Sequence, residues 1–258
     1  MATADYINKI VQGDNVEIMR SMDGDSIDLT VTSPPYDNLR TYNGYSFDVK
    51  SVAQELYRIT KPGGVVVWVV ADATVGGSET GTSFRQALSF MEVGFLLHDT
   101  MIWDKENCRF PSPIRYHNSF EYMFVFSKGA PKTVKLIHDR KNKWAGTKVH
   151  GTDRMPDGST KQKTGHNQRV VKEYGARWNV WRMPNVGRKG NKHPASFPEG
   201  IARDHILTWS KEGEVVLDPF GGSGTTAKMA IINERNFIHI DVSEEYCEIA
   251  KQRIVSAS

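Results

Sequence analysis

The sequence has only two cysteines in 258 residues, Cys108 and Cys247, and they fit no metal-ligand spacing. They read as reduced thiols of a cytoplasmic protein. No run approaches 18 apolar residues, so no membrane span is expected. The opening Met1-Ala2-Thr3-Ala4-Asp5 has no basic stretch leading into an apolar one, so no secretory signal is expected. Internal repeats are absent. What is present is an ordinary globular composition, 39% hydrophobic and 10% aromatic, in a length that suits one α/β domain with an insertion.

The net charge of +3 conceals an uneven distribution. Lys128 to Lys192 holds 17 Lys and Arg against four acids, a net +13 that leaves −10 for the rest of the chain. A basic insert on an acidic body suits a phosphate backbone. The same segment carries Trp144, Tyr174, Trp178 and Trp181, and aromatics among basic residues suit contact with bases as well. It has no sustained period and reads as an irregular insertion.

On either side of the insert, strands and helices alternate. Tyr6–Val11, Ser26–Thr32, Val65–Val70, Phe95–Trp103, Phe120–Phe126, Glu214–Leu217 and Phe237–Ile240 read as strands. Val65–Val70 is a continuous apolar run, as in a central strand covered on both faces. Val16–Met22, Val52–Ile59, Ser83–Met91 (with Thr82 as N-cap), Pro198–Ile206, Thr225–Ile232 and Glu244–Val255 read as helices. The polar stretch Gly76–Thr82 reads as a mobile loop. This alternation predicts a largely parallel sheet with helices on both faces.

Two loops carry chemistry. Asp218-Pro219-Phe220-Gly221-Gly222-Ser223-Gly224-Thr225-Thr226 joins a strand to a helix. Its glycines admit a ligand close to the backbone, and the helix that follows offers free N–H groups. It has no lysine at the P-loop position. Asp241 ends the next strand, where an acid can bind two ribose hydroxyls. The other loop, Ser33-Pro34-Pro35-Tyr36, also follows a strand. An amino group on a planar base is a poor nucleophile, because its lone pair is delocalised into the ring. A Ser hydroxyl and a rigid backbone carbonyl can accept its two hydrogens, and a Tyr ring can stack on the base. A base in a duplex must first be flipped out. Each loop alone also suits a plain structural turn.

Thr32-Ser33-Pro34-Pro35-Tyr36 followed 185 residues after Ser33 by Asp218-Pro219-Phe220-Gly221-Gly222 resembles the β-class DNA amino-methyltransferases. That family places the catalytic motif first, the cofactor motif last and target recognition between them. Gly13-Asp14 resembles its acid near the cofactor adenine, and Lys61-Pro62-Gly63-Gly64 its LKPGG turn. His193-Pro194-Ala195-Ser196-Phe197-Pro198 resembles its HPxxxP segment at the methionine end of the cofactor. Phe237-Ile238-His239-Ile240-Asp241 resembles its FIGIE strand, with His239 for Gly and Asp241 for Glu.

The resemblance implies a circularly permuted, Rossmann-like α/β fold with a mostly parallel seven-stranded sheet, whose first strand here is the family's third. It divides the chain into a catalytic half over 1–128, a target-recognition insertion over 129–192 and a cofactor half over 193–258. It implies S-adenosylmethionine as cofactor, held by Asp14, Ser196, Phe197, Asp218, Phe220, Gly221, Gly222, Gly224, Thr225 and Asp241. It implies catalysis by Ser33, Pro34, Pro35 and Tyr36 without a covalent intermediate, and no Pro-Cys nucleophile is present. Double-stranded DNA is the implied substrate, contacted by Arg40, Trp144, Arg169, Arg177, Trp178, Arg182 and Arg188. Ser before Pro-Pro-Tyr favours cytosine N4 over adenine N6. RNA or protein-glutamine methylation is the less favoured reading, and a non-catalytic binding protein less favoured still. A homodimer, a restriction–modification setting and a restriction enzyme on a separate chain are compatible expectations.

Overall fold

The structure, a computed structural model, describes residues 2–35, 48–106, 113–148, 152–162, 169–184 and 197–255. Contacts divide the chain into two units, 1–135 with 179–258, and 136–178. The insertion expected over 129–192 therefore has a narrower compact part.

The larger unit is an eight-stranded sheet with helices on both faces. Its first strands are β1 (Lys9–Gln12), β2 (Ile27–Thr32) and β3 (Thr60–Val70), separated by α1 (Asn15–Arg20) and α2 (Val49–Ile59). A hairpin of β4 (Thr74–Val75) and β5 (Ser78–Glu79) leads to α3 (Thr82–Glu92), β6 (Leu96–Asp104) and β7 (Phe120–Ser127). The smaller unit contributes β8 (Arg140–Lys141), β9 (Thr152–Arg154), β10 (Thr160–Gln162) and β11 (Tyr174–Gly175). The chain closes with β12 (Val180–Arg182), α4 (Glu199–Trp209), β13 (Val215–Asp218), α5 (Thr225–Ile232), β14 (Asn236–Asp241) and α6 (Glu244–Val255).

The sheet order is β1-β14-β13-β2-β3-β7-β6-β12. Among the described residues, β7 alone runs against the rest of this sheet, antiparallel to both β3 and β6. The count is eight where seven were expected. Val180–Arg182, read as part of the insert, pairs in parallel with Ile102–Asp104 and adds an edge strand. Its Trp181 is buried and stacks on His205 at 4.5 Å, so this tryptophan belongs to the core and not to a base-contacting surface.

β3 shows why its apolar run is continuous. Val66, Trp68 and Val70 enter one core cluster, with Leu56, Phe90 and Ile240, while Val65, Val67 and Val69 enter the other, with Met123, Ile201 and Val216. Side chains alternate between faces, and both faces are covered. In α2, Val52, Ala53, Leu56 and Ile59 are buried on one stripe, and Asp48 caps the helix by accepting from the Lys50 N–H at 3.0 Å.

Two local expectations change. The polar stretch after β3 is the β4–β5 hairpin. Thr82 is the first residue of α3, and Gly81, in the left-handed region, occupies the N-cap. The capping work passes to Asp72, whose carboxylate accepts from the Ser83 N–H at 2.9 Å and from its hydroxyl.

The smaller unit consists of two antiparallel ladders, β8 with β11 and β9 with β10. None of its described residues is buried. Polar bonds hold it: Arg140 Nε to Ala176 O at 2.9 Å, Asn142 Nδ2 to Lys172 O at 2.9 Å, and an Arg177–Asp139 ion pair.

Candidate functional site

The order of strands brings the two chemical loops together. β2 and β13 are paired neighbours, Val216 with Leu29 and Leu217 with Thr30, and both loops leave their carboxyl ends. The connection from β13 turns through α5 to β14 on one side, while β2 lies on the other, so this is the crevice where open α/β sheets bind ligands. Thr32, the last residue of β2, donates its Oγ1 proton to Asp218 Oδ1 at 2.7 Å in a buried contact. Thr226 Oγ1 donates to the Val31 carbonyl at 3.0 Å. The segment that holds Ser33, Pro34 and Pro35 is thereby fastened to the glycine loop, with Pro34 buried and Ser33 and Pro35 half-buried. Tyr36 and Arg40 lie outside the described residues.

Asp218 is buried, and desolvation pushes its carboxyl up to about 6. Hydrogen bonds from Thr32 and the Phe220 N–H work against that rise, and the charge of Asp241 adds to it. Past Phe220 the loop turns back on itself. Gly221 N–H donates to Ile240 O at 2.9 Å, and Gly224 N–H to Gly221 O at 2.9 Å. Gly224 has φ +79°, and a Cβ there would lie 2.9 Å from that of Ala250. Phe220 meets Trp68 edge to face at 5.9 Å.

Asp241 ends β14, opposite Gln12 of β1. Its Oδ2 accepts from the Gly222 N–H and its Oδ1 from the Ser243 N–H, both at 2.8 Å. Each oxygen keeps a lone pair, so the carboxylate can still accept from two hydroxyls. Burial holds its pKa above the usual carboxylate range. Asp14 caps α1 by accepting from the Glu17 N–H at 3.0 Å, and Gly13 N–H donates to the Asp241 carbonyl at 3.0 Å. The acid ends of β1, β14 and β13 and the Ser-Pro-Pro segment after β2 therefore line one edge of the sheet. Phe197 is buried ahead of α4, and Ser196 lies outside the described residues.

Sequence reasoning missed several members of this site. Asn15 is buried behind Asp14 and donates Nδ2–H to Pro219 O at 3.1 Å. Thr32 was visible as part of the first motif but not as the tie to the second. Arg253 of α6 donates to Ser223 O at 2.9 Å, Ser223 Oγ at 2.7 Å, Thr225 Oγ1 at 3.2 Å and Glu199 Oε1 at 2.9 Å. Lys228 reaches the same Glu199 oxygen at 2.8 Å. Glu199 opens α4, and its two cationic partners hold its pKa down against the opposing effect of burial. No local pattern marks an arginine near the end of a terminal helix as a partner of a loop 30 residues upstream.

His239 lies fully buried under this loop, and among the described residues neither ring nitrogen has a hydrogen-bond partner. A Cβ on Gly221 would come 2.2 Å from the imidazole. Desolvation lowers the His239 pKa to about 4, so the ring is neutral. Cys247 is buried too, and burial raises its thiol to about 11, which leaves it inert as a nucleophile. Cys108 lies outside the described residues. Among the described residues no group of His, Cys, Asp and Glu could hold a metal ion, and no helix is long and apolar enough to cross a membrane.

In the smaller unit, Trp144 and Trp178 are 65% and 69% exposed. Lys143 lies over the Trp144 ring at 5.4 Å, and Arg140 over Trp178 at 5.1 Å. Tyr174 is exposed on β11, and Arg169 is exposed as well. Arg177 is engaged with Asp139, whose pKa that contact lowers. Arg182 belongs to β12 in the larger unit, pairs with Asp104 at 3.4 Å and stays largely exposed. Arg188 lies outside the described residues.

Comparison with known proteins identifies the family of the chain. The profile of a family described as DNA methylase, N6_N4_Mtase, matches residues 27–252. Orphan methyltransferase M.BamHII of Bacillus amyloliquefaciens is 58% identical over 237 residues, covering 89% of each chain. Type II methyltransferase M.SmaI of Serratia marcescens is 29% identical, covering 96% of this chain and 90% of its own. Among solved structures, PvuII DNA methyltransferase (cytosine-N4-specific) has a TM-score of 0.69 at 22% identity, covering 95% of this chain and 85% of its own. That likeness is one of fold.

Proposed function

The chain belongs to the N6/N4 DNA methylase family of β-class amino-methyltransferases, and from that premise we propose that it methylates the N4 amino group of cytosine in a base flipped out of duplex DNA. The observation that supports this reading most directly is the buried Thr32–Asp218 hydrogen bond, which fixes Ser33-Pro34-Pro35 beside the glycine loop.

The loop residues fit S-adenosylmethionine. Asp241 retains acceptor capacity for two ribose hydroxyls, Phe220 offers a ring edge, and the N-terminus of α5 offers free N–H groups to a carboxylate. Bound there, the cofactor supplies an electrophilic methyl group. The Ser33 hydroxyl and the Pro34 carbonyl then accept the two amino hydrogens and turn the nitrogen lone pair out of the ring. The buried Pro34 keeps that carbonyl in place. The serine at this position, together with the likeness in fold to the cytosine-N4-specific PvuII methyltransferase, favours cytosine over adenine. The smaller unit, with exposed Trp144 and Trp178 among cations, is proposed as the surface that meets the target sequence, with Arg169 contacting phosphate.

The test is incubation with labelled S-adenosylmethionine and mixed-sequence duplex DNA, digestion to nucleosides and mass spectrometry. N4-methylcytosine is expected. N6-methyladenine would keep the enzyme class and overturn the reading of Ser33 as a marker of the base. No labelled nucleoside from a protein that binds the cofactor would overturn the substrate assignment.

A further inference from the structure

The segment that enters β7 reaches the same edge of the sheet as Ser33-Pro34-Pro35. β7 is antiparallel to β3, so its first residues lie level with the carboxyl ends of β2 and β3. β2 and β7 flank β3 in the sheet and stand two strand spacings apart, about 10 Å. In this segment Ile114 is 82% exposed and Tyr116 fully exposed, and Val75 of the β4–β5 hairpin is 67% exposed. Single exposed apolar residues are ordinary, but these three flank one arginine. Arg115 lies between Ile114 and Tyr116 and donates Nη2–H to the carbonyl of Gly77, two residues past Val75.

The segment is braced at both ends. Lys105 N–H donates to Ser119 O at 2.7 Å, Asn118 Oδ1 accepts from the Phe120 N–H at 3.2 Å, and the Arg115–Gly77 bond ties the outer part to the hairpin. Pro113 fixes its own φ. A tyrosine held out in solvent on such a backbone adds nothing to the core. With only two χ angles it also loses little freedom when it meets a ligand. Its place says what that ligand is. A base delivered to Ser33 leaves a gap in the duplex stack, and opening that gap costs stacking and pairing. An apolar or aromatic side chain that enters the gap replaces part of the loss. Residues 113–118 include Arg115 and no acid, so the stretch does not repel the phosphates beside the gap.

We propose that Tyr116 is the wedge that enters the duplex where the target base has left, with Arg115 holding its segment to the β4–β5 hairpin. This rests on the reading that the chain methylates a flipped base in duplex DNA. The test begins by mapping the methylated sequence with the wild type. Two readouts then follow on a short duplex that carries it. One is the rate of methyl transfer at saturating DNA and cofactor. The other is the brightening of a fluorescent analogue at the target position, which reports extrusion of the base. Tyr116→Ala is expected to lower both by about tenfold, the effect of losing one stacking contact, and to leave the affinity for S-adenosylmethionine unchanged. Tyr116→Phe keeps the ring and should keep both. Tyr116 is exposed, so the variants should fold, and circular dichroism checks that they do. An active wild type matched in rate by Tyr116→Ala, or a slower Tyr116→Ala that extrudes the base as well as the wild type, overturns the wedge alone. A wild type that labels no base in duplex DNA overturns the methylation reading and the wedge with it.

Discussion

Asp218 and His239 face each other in register on neighbouring strands, and burial moves both pKa values in ways that oppose each other in stability. Between pH 4 and 6 the folded chain keeps a proton on Asp218 that the unfolded chain has lost. That contribution is complete at the acid end and is lost as pH rises through about 6. His239 behaves in reverse. From 6.5 down to about 4 the unfolded chain holds a proton that the folded one refuses, so its contribution is lost as pH falls. Each slope is about 1.4 kcal/mol per pH unit, with opposite sign. Asp218→Asn should therefore give a stability that rises with pH across this window, and His239→Leu one that falls. Urea denaturation of both variants checks this, and parallel profiles would reject it. The same histidine sets the height of the loop. Gly221→Ala forces a Cβ into the imidazole, so cofactor affinity should drop by about a hundredfold, the effect of a loss of roughly 3 kcal/mol. Gly221→Ala combined with His239→Gly should recover part of it, measured by calorimetric titration with S-adenosylmethionine. At this scale the sequence displayed the glycines, Asp218, Asp241 and the departure at 239. It could not display Thr32 or Asn15 as partners of the 218–220 segment, because only the fold brings residues two hundred positions apart into contact.

Elements with a strong internal period were legible. The two-faced β3 and the stripe of α2 came directly from apolar spacing. β12 was not, since three residues carry no period, and Trp181 among lysines reads as surface until Ile102–Asp104 is there to pair with it. The N-terminal cap of α3 was misplaced for a related reason: Asp72 lies ten residues before the helix and reaches it only through the hairpin between them. Glu199 and Arg253 are the clearest case of one element positioning another. The end of α6 grips the glycine loop and the start of α4 at once. Arg253→Ala should raise the dissociation constant for S-adenosylmethionine by about tenfold, and Arg253→Lys by less, because lysine restores the charge without the fork. The rate at saturating cofactor should hold, since the bonds of Arg253 to Ser223, Thr225 and Glu199 brace the glycine loop and the start of α4. A rate that falls with unchanged affinity would contradict that division of labour.

For the whole molecule, the order of motifs and the charge imbalance were written plainly in the chain, while the edges of the insert were not. Residues 136–178 carry ten Lys and Arg against four acids and bury nothing among their described residues. A unit without a core of its own gains little from folding alone and much from a polyanion. Binding to duplex DNA should weaken steeply with salt, and each phosphate-contacting cation removed should lower the slope of log K against log salt by about 0.9. Arg169→Ala should show that reduction. Trp144→Ala and Trp178→Ala should weaken binding with little change of slope, because stacking releases no counterions. Fluorescence anisotropy across a salt series separates the two effects.

The position of β13 and β14 has a consequence for how the protein is made. Both strands come late in the chain, yet they lie between β1 and β2 in the sheet. Among the described residues β1 pairs with β14 alone, and β13 bridges β14 to β2. A ribosome that has delivered everything up to Ser210 has supplied both banks of a gap and nothing to fill it. β1 waits without a partner and β2 with one bare edge until synthesis passes Asp241. The loop meant for the cofactor arrives with the same two strands, so the nascent chain cannot close its sheet or its binding crevice until residues past Asp241 have been made.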